Sequence, residues 1–89
     1  MIPVHAFMHR GLRKLKYLNL SGNGLEKLSG DLSGLKSLHT IDLSNNKLTS
    51  VPESLLKLKK LKWLLIKGNP IPTQELERIM ELRPDLELE

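Results

Sequence analysis

One pattern of apolar residues and asparagine is written three times into this chain, always at the same step. Leu15-x-x-Leu18-x-Leu20-x-x-Asn23-x-Leu25 comes first. Leu38-x-x-Ile41-x-Leu43-x-x-Asn46-x-Leu48 is the second and Leu61-x-x-Leu64-x-Ile66-x-x-Asn69-x-Ile71 the third. Every apolar position and every Asn recurs in register. A chain with such a period folds as stacked units, each burying its apolar side only against its neighbours. At 89 residues it has room for one small domain, near the length at which a core becomes marginal.

Inside each unit, apolar residues alternate with period two, which reads as a short strand. Strands are expected near residues 17–21, 40–44 and 63–67. A closing strand is expected around Leu86 and Leu88, with Leu86 beside Leu64 and Leu88 beside Ile66, at a step one position shorter than the repeat. Each strand returns through a crossover, so the pairing is parallel. Asn23, Asn46 and Asn69 stand where each strand turns inward and its backbone groups lose their ladder partners. An amide side chain both donates and accepts, so a structural role fits this column better than a ligand role. Gly22, Asn45 and Gly68 form the preceding column, and both residue types tolerate the left-handed backbone of a tight turn.

The period and pattern together resemble the leucine-rich repeat family. Residues 51–58, Val-Pro-Glu-Ser-Leu-Leu-Lys-Leu, resemble the crossover of its 23-residue intracellular and bacterial class. Gly68-Asn69-Pro70-Ile71, a helical stretch and then Leu82-Arg83-Pro84-x-Leu86-x-Leu88 resemble the cap that ends many such domains. The resemblance covers about residues 12–89 and implies an α/β solenoid: a short curved parallel sheet, three full repeats, a C-terminal helix and a closing strand. The units expected are a partial repeat with a short helix over 1–11, the repeats over 12–72 and a cap over 73–89. The crossover near residues 28–35 holds Ser29, Gly30, Ser33 and Gly34, so it is expected to be softer than 51–58.

The two ends read differently. In the cap, Thr73 is the expected helix N-cap, with acidic residues in the first turn. Leu76, Ile79 and Met80 share one helix face, and Pro84 ends the helix. At the other end, Ile2-Pro3 and Phe7 resemble the tail of a preceding repeat without its strand. A helix over residues 3 to 10 is expected, covering the core with Val4, Phe7 and Met8. The edge of strand 17–21 is then left for association, including a homodimer built by pairing two such edges.

The resemblance implies binding through the concave face of the sheet. Its outward columns are Lys16, His39 and Lys62; Tyr17, Thr40 and Trp63; Asn19, Asp42 and Leu65; and Ser21, Ser44 and Lys67. The closing strand adds Asp85, Glu87 and Glu89. Tyr17 and Trp63 share a column and belong to the residue types enriched in interface hot spots. The partner-binding set expected is therefore Tyr17, Asn19, Thr40, Asp42, Trp63, Leu65 and Lys67. The plain alternative is that Trp63 packs on the stems of Lys60 or Lys62.

Composition narrows the classes further. Lys and Arg outnumber Asp and Glu by 12 to 4 over residues 1–68, and are outnumbered 2 to 6 over 69–89. That dipole favours attraction between opposite ends at low salt. Nucleic acid is not expected as a partner, because no motif for it is present and three aromatics are too few for stacking along a strand. The absence of cysteine fits a reducing, cytoplasmic setting. No apolar run is long enough to span a membrane, and the N-terminal segment lacks the order of a signal peptide. His39, Asp42 and Ser44 invite a catalytic reading, but no oxyanion donor or pocket accompanies them. No metal-ligand spacing and no cofactor motif is seen. The expectation is a non-enzymatic protein-interaction module. The alternative is a capping or designed solenoid fragment that self-associates through its N-terminal strand edge.

Overall fold

The computed structural model describes residues 13–28 and 32–89. The helix expected over residues 3 to 10, with Val4, Phe7 and Met8, lies outside them. So do Ser29 and Gly30 of the first crossover.

The alternating segments form strands β1 (Tyr17–Asn19), β2 (Thr40–Asp42), β3 (Trp63–Leu65) and β4 (Glu87–Leu88). They make one parallel sheet in chain order. Tyr17 pairs with Thr40 and Thr40 with Trp63, so the strands advance by the repeat period itself. The last step is one position longer, pairing Trp63 with Glu87 and Leu64 with Leu88. This corrects the expected pairing of Leu64 with Leu86 and of Ile66 with Leu88. A slip of two positions keeps every side chain on its own face, so alternation cannot separate the two registers.

Each of the first three strands is three residues long, shorter than the 17–21, 40–44 and 63–67 expected. Side chains take over at the strand ends. Asn19 Oδ1 accepts the backbone N–H and the hydroxyl of Ser21, at 2.9 and 2.7 Å. Asp42 Oδ1 does the same for Ser44, at 3.0 and 2.6 Å. Backbone bonds between repeats continue past the strands, from Gly22 N–H to the Ser44 carbonyl and from Asn45 N–H to that of Lys67. The chain then turns inward through the left-handed region, with φ of 66° at Gly22, 56° at Asn45 and 79° at Gly68.

The crossovers differ. Residues 33–37 form turns, residues 53–56 a single helical turn α1 (Glu53–Leu56), and residues 73–82 a longer helix α2 (Thr73–Leu82). Inward columns of Leu18, Ile41 and Leu64 and of Leu20, Leu43 and Ile66 are buried. The columns from the turns and crossovers join them in one core. Each such side chain contributes about 1.5–3 kcal/mol by leaving water.

Helix α2 differs from its expected form in two ways. Its N-cap position is Pro72, which offers no side-chain cap, and not Thr73. Ile79 is buried and Leu76 partly so, but Met80 and Leu82 are 51% and 48% exposed. The narrow contact with the core is supplemented by two arginines. Arg78 donates to the Val51 carbonyl (2.7 Å) while its partner Glu75 accepts the Val51 N–H (2.9 Å). Arg83 donates to the carbonyls of Leu56, Leu58 and Leu61 at 2.7–2.9 Å. These include carbonyls left open at and beyond the end of α1.

Candidate interaction surface

Residues that alternate with the buried Leu and Ile columns face outward from the sheet. One rung crosses the four strands as Tyr17, Thr40, Trp63 and Glu87. The next rung is Asn19, Asp42 and Leu65. Tyr17 is 52% exposed, whereas Trp63 and Leu65 are half-buried. Tyr17 and Trp63 are two strand spacings apart, about 10 Å.

Leu65 breaks a local rule. Asn19 and Asp42 each supply an oxygen to the serine two positions on, and Leu65 has none to give. In the third repeat the Lys67 N–H instead donates to the backbone carbonyl of Glu89, at 3.0 Å. The closing strand thus takes over a turn contact, and position 65 carries an apolar side chain on a face otherwise polar at that rung. Lys67 stands beyond β3, in the turn. It lines a second groove of about 340 Å³ with Met80, Leu88 and Glu89, away from Tyr17. The expected set therefore divides: Tyr17, Asn19, Thr40, Asp42, Trp63 and Leu65 share the two rungs, and Lys67 does not.

Just before the strands runs a row of bases. The N–H of His39 donates to the Lys16 carbonyl, that of Lys62 to the His39 carbonyl and that of Glu87 to the Lys62 carbonyl, at 2.8–2.9 Å. Lys16, His39 and Lys62 thus stand one strand apart. An open cavity of about 610 Å³ lies here, lined by Lys16, Tyr17, Ser37, His39, Thr40 and Lys60. Ser37 and Lys60 were not among the expected site residues. Lys60 follows Ser37 by one full repeat, so the period itself places them in one column.

His39, Asp42 and Ser44 do not converge. His39 Nδ1 lies 2.9 Å from the Thr40 hydroxyl, and which of the two donates depends on the imidazole tautomer. The Asp42 carboxylate is engaged by Ser44. Among the described residues, no group of three or more His, Asp or Glu is placed to hold a metal ion. No helix there is long and apolar enough to cross a membrane.

Behind this face the asparagines bridge successive repeats. Asn46, 6% exposed, accepts the N–H groups of Asn23 and Leu25 at Oδ1 and donates to the carbonyls of Leu20 and Leu43. Asn69 accepts the Leu48 N–H and donates to the carbonyls of Leu43 and Ile66. Asn23 donates to the Leu20 carbonyl.

Charge is divided across the molecule. In the acidic cap both basic residues are engaged: Arg78 pairs with Glu75 and Arg83 with Asp85, each at 2.8 Å. The hydrogen bonds from Arg78 hold the Glu75 carboxyl below its ordinary value, against the opposing effect of burial. Those from Arg83 bring the Asp85 carboxyl down to about 2. Asp85 lies with Arg83 beside Leu56, Lys57 and Lys59 of the crossover, and Glu87 is the acid paired with Trp63. Glu77, Glu81, Glu87 and Glu89 remain exposed. On the basic side the described residues show one ion pair, a 3.7 Å contact between exposed Lys57 and Glu53.

Comparison with known proteins agrees with this architecture. The profile described as "Leucine rich repeat" matches residues 1–48 and 13–71. Among solved structures, a leucine-rich repeat protein of Leptospira interrogans is similar, with a TM-score of 0.85 and 36% identity. The similarity covers 100% of this chain, which spans 22% of that protein. No curated protein sequence matches.

Proposed function

This chain belongs to the leucine-rich repeat family, and on that premise we propose that it is a non-enzymatic module binding a protein partner through the outward face of its sheet. Tyr17, Trp63 and Leu65 are its anchors. Asn19, Thr40 and Asp42 supply polar contacts around them, and Lys67 contributes from the margin. The observation that carries this reading is Leu65. It occupies a position whose counterparts, Asn19 and Asp42, are polar and hold their own turns, and it lies diagonal to Trp63's neighbour Thr40 on a pre-formed sheet. A rigid apolar pair of this kind loses little entropy on contact. The test is to compare proteins captured by the parent chain with those captured by Trp63→Ala and Leu65→Ser. A partner held by the parent and lost by both folded variants is expected. Retention of every captured protein by both variants would sink the reading.

A second reading rests on sheet order. Strand β1 is terminal among the described residues, and an end strand can pair with another copy. Light scattering at low and high salt tests it: a dimer that persists at high salt supports edge pairing, and a monomer at all concentrations rules it out. The cysteine-free composition suits a reducing, cytoplasmic compartment, which cell fractionation checks.

A further inference from the structure

We infer that the partner presents an acidic segment, which lies across the strand entries in the cavity bounded by Lys16, Tyr17, His39 and Lys60. The inference rests on the interaction reading above and names the chemistry of its occupant. Three observations converge on it. First, the open space of about 610 Å³ is lined by two lysines, a histidine, a serine, a threonine and an exposed tyrosine, with no carboxylate among them. Lys16 and Lys60 form no ion pair among the described residues. No described residue neutralises their charges. Second, the bases follow the strand spacing. Lys16, His39 and Lys62 are joined one to the next through their backbones, so their side chains leave the sheet about 5 Å apart. An extended peptide advances about 3.3 Å per residue and places side chains on one side about 6.7 Å apart. Flexible lysine stems absorb the difference.

Third, the same face changes sign across the sheet. Glu87 ends the rung that Tyr17 begins, and Glu89 follows it. An acidic occupant is attracted to the β1–β2 side and repelled from β4, which sets its position along the rung. Tyr17 adds an aromatic surface and a hydroxyl beside Lys16, at the β1 end of the basic row. A carboxylate-rich peptide can use both, accepting from the lysines and the hydroxyl while its stems pack on the ring. A nucleic acid would also be attracted by charge. It is the less suited occupant because Tyr17 is the one Phe, Tyr or Trp among the described residues lining the cavity, and stacking along a strand needs several.

A fluorescein-labelled glutamate octapeptide tests the inference by anisotropy, with a lysine octapeptide and a single-stranded RNA octamer as controls. The single tryptophan, Trp63, provides an independent readout on the same face. The expected result is saturable binding of the glutamate peptide at low salt, with a change in Trp63 fluorescence. Screening should weaken that binding about tenfold or more between roughly 50 mM and 500 mM salt. The double variant Lys16→Ser and Lys60→Ser should lose it at unchanged circular dichroism, while Lys36→Ser and Lys47→Ser, elsewhere on the surface, should retain it. Absence of saturable binding, equal binding by the double variant, or tighter binding of the RNA would each overturn the inference. The interaction reading fails separately. If captured partners depend on Trp63 and Leu65 but not on Lys16 and Lys60, the interaction face stands and the acidic occupant falls.

Discussion

A Cβ added to Gly68 would run into the side chain of Asn45, its counterpart one repeat earlier in the chain. The two residues occupy the same column of successive repeats, and both adopt a left-handed backbone. Gly22, in the same column, has nothing within 4 Å of its own Cβ position. The three turns are alike in conformation and unlike in crowding. Gly22→Ala should therefore lose only the left-handed preference, about 1–2 kcal/mol. Gly68→Ala should lose more, because the neighbouring turn must also move. Adding Asn45→Gly to Gly68→Ala should recover part of that difference. Urea unfolding of the three variants checks the order.

The asparagine column predicts a second ranking. Removing the Asn46 amide orphans the backbone N–H groups of Asn23 and Leu25 at a buried site, while the Leu20 and Leu43 carbonyls each keep one donor, from Asn23 and Asn69. Each unsatisfied group costs about 1–3 kcal/mol, so Asn46→Ala should destabilise by roughly 2 kcal/mol or more. Asn69→Ala orphans the Leu48 N–H and the Ile66 carbonyl, and Asn23→Ala orphans neither kind of group, because Asn46 still donates to the Leu20 carbonyl. Denaturation midpoints should fall in the order Asn46, Asn69, Asn23, with Asn46→Ala the least stable. Asn46→Asp should not rescue, since a second oxygen would face the carbonyls of Leu20 and Leu43.

Helix α2 gives a pH-dependent prediction. Glu75 has its folded-state pKa lowered from 4.5, chiefly by hydrogen bonds from Arg78. A carboxyl depressed in the folded state stabilises above its unfolded value, and that stability is lost as pH falls through the folded value. The parent should accordingly lose stability below about pH 4.5, and Glu75→Gln should flatten that part of the acid limb while lowering stability at neutral pH. Thermal melts from pH 7 to pH 2 check both. Asp85 should titrate at about 2 by NMR and return toward the ordinary range in Arg83→Met.

Arg83 predicts a local effect. Its guanidinium joins the carbonyls of Leu56, Leu58 and Leu61 with the Asp85 carboxylate. Lysine has no planar fork to span them. Both Arg83→Lys and Arg83→Met should raise amide exchange over residues 57–61 and in β4, while β1 and β2 keep theirs. Equal exchange changes in all four strands would contradict this picture.

The parts of this fold that were legible in the sequence are those that recur with the repeat. Leu18, Ile41 and Leu64, the turn residues Gly22, Asn45 and Gly68, and the pairing of the first three strands all follow from one period. What the period could not carry is what occurs once. The closing strand slips by two positions because Leu86 and Leu88 fit either register. Arg78 and Arg83 show no periodicity, and their targets lie 22–27 residues earlier. Only the folded crossover brings those carbonyls within reach. On the outward face, alternation located Tyr17, Trp63 and Leu65. It did not show that Trp63 and Leu65 are half-covered, nor that Lys60 joins Lys16 beside Tyr17.

The two arginine clamps also limit where the repeat array could be lengthened. Val51, Leu56, Leu58 and Leu61 all belong to the crossover that α2 covers, so everything from Val51 to Glu89 is one indivisible block. Among the described residues, the segment between Asn23 and Asn46 carries no arginine clamp. A duplicated repeat spliced between Asn23 and Asn46 would meet the same partners above and below as the original. The same insertion after Val51 would separate Arg78 from the Val51 carbonyl, and one after Leu61 would separate Arg83 from its three. Lengthening by duplication is therefore open on one side of the block and closed within it.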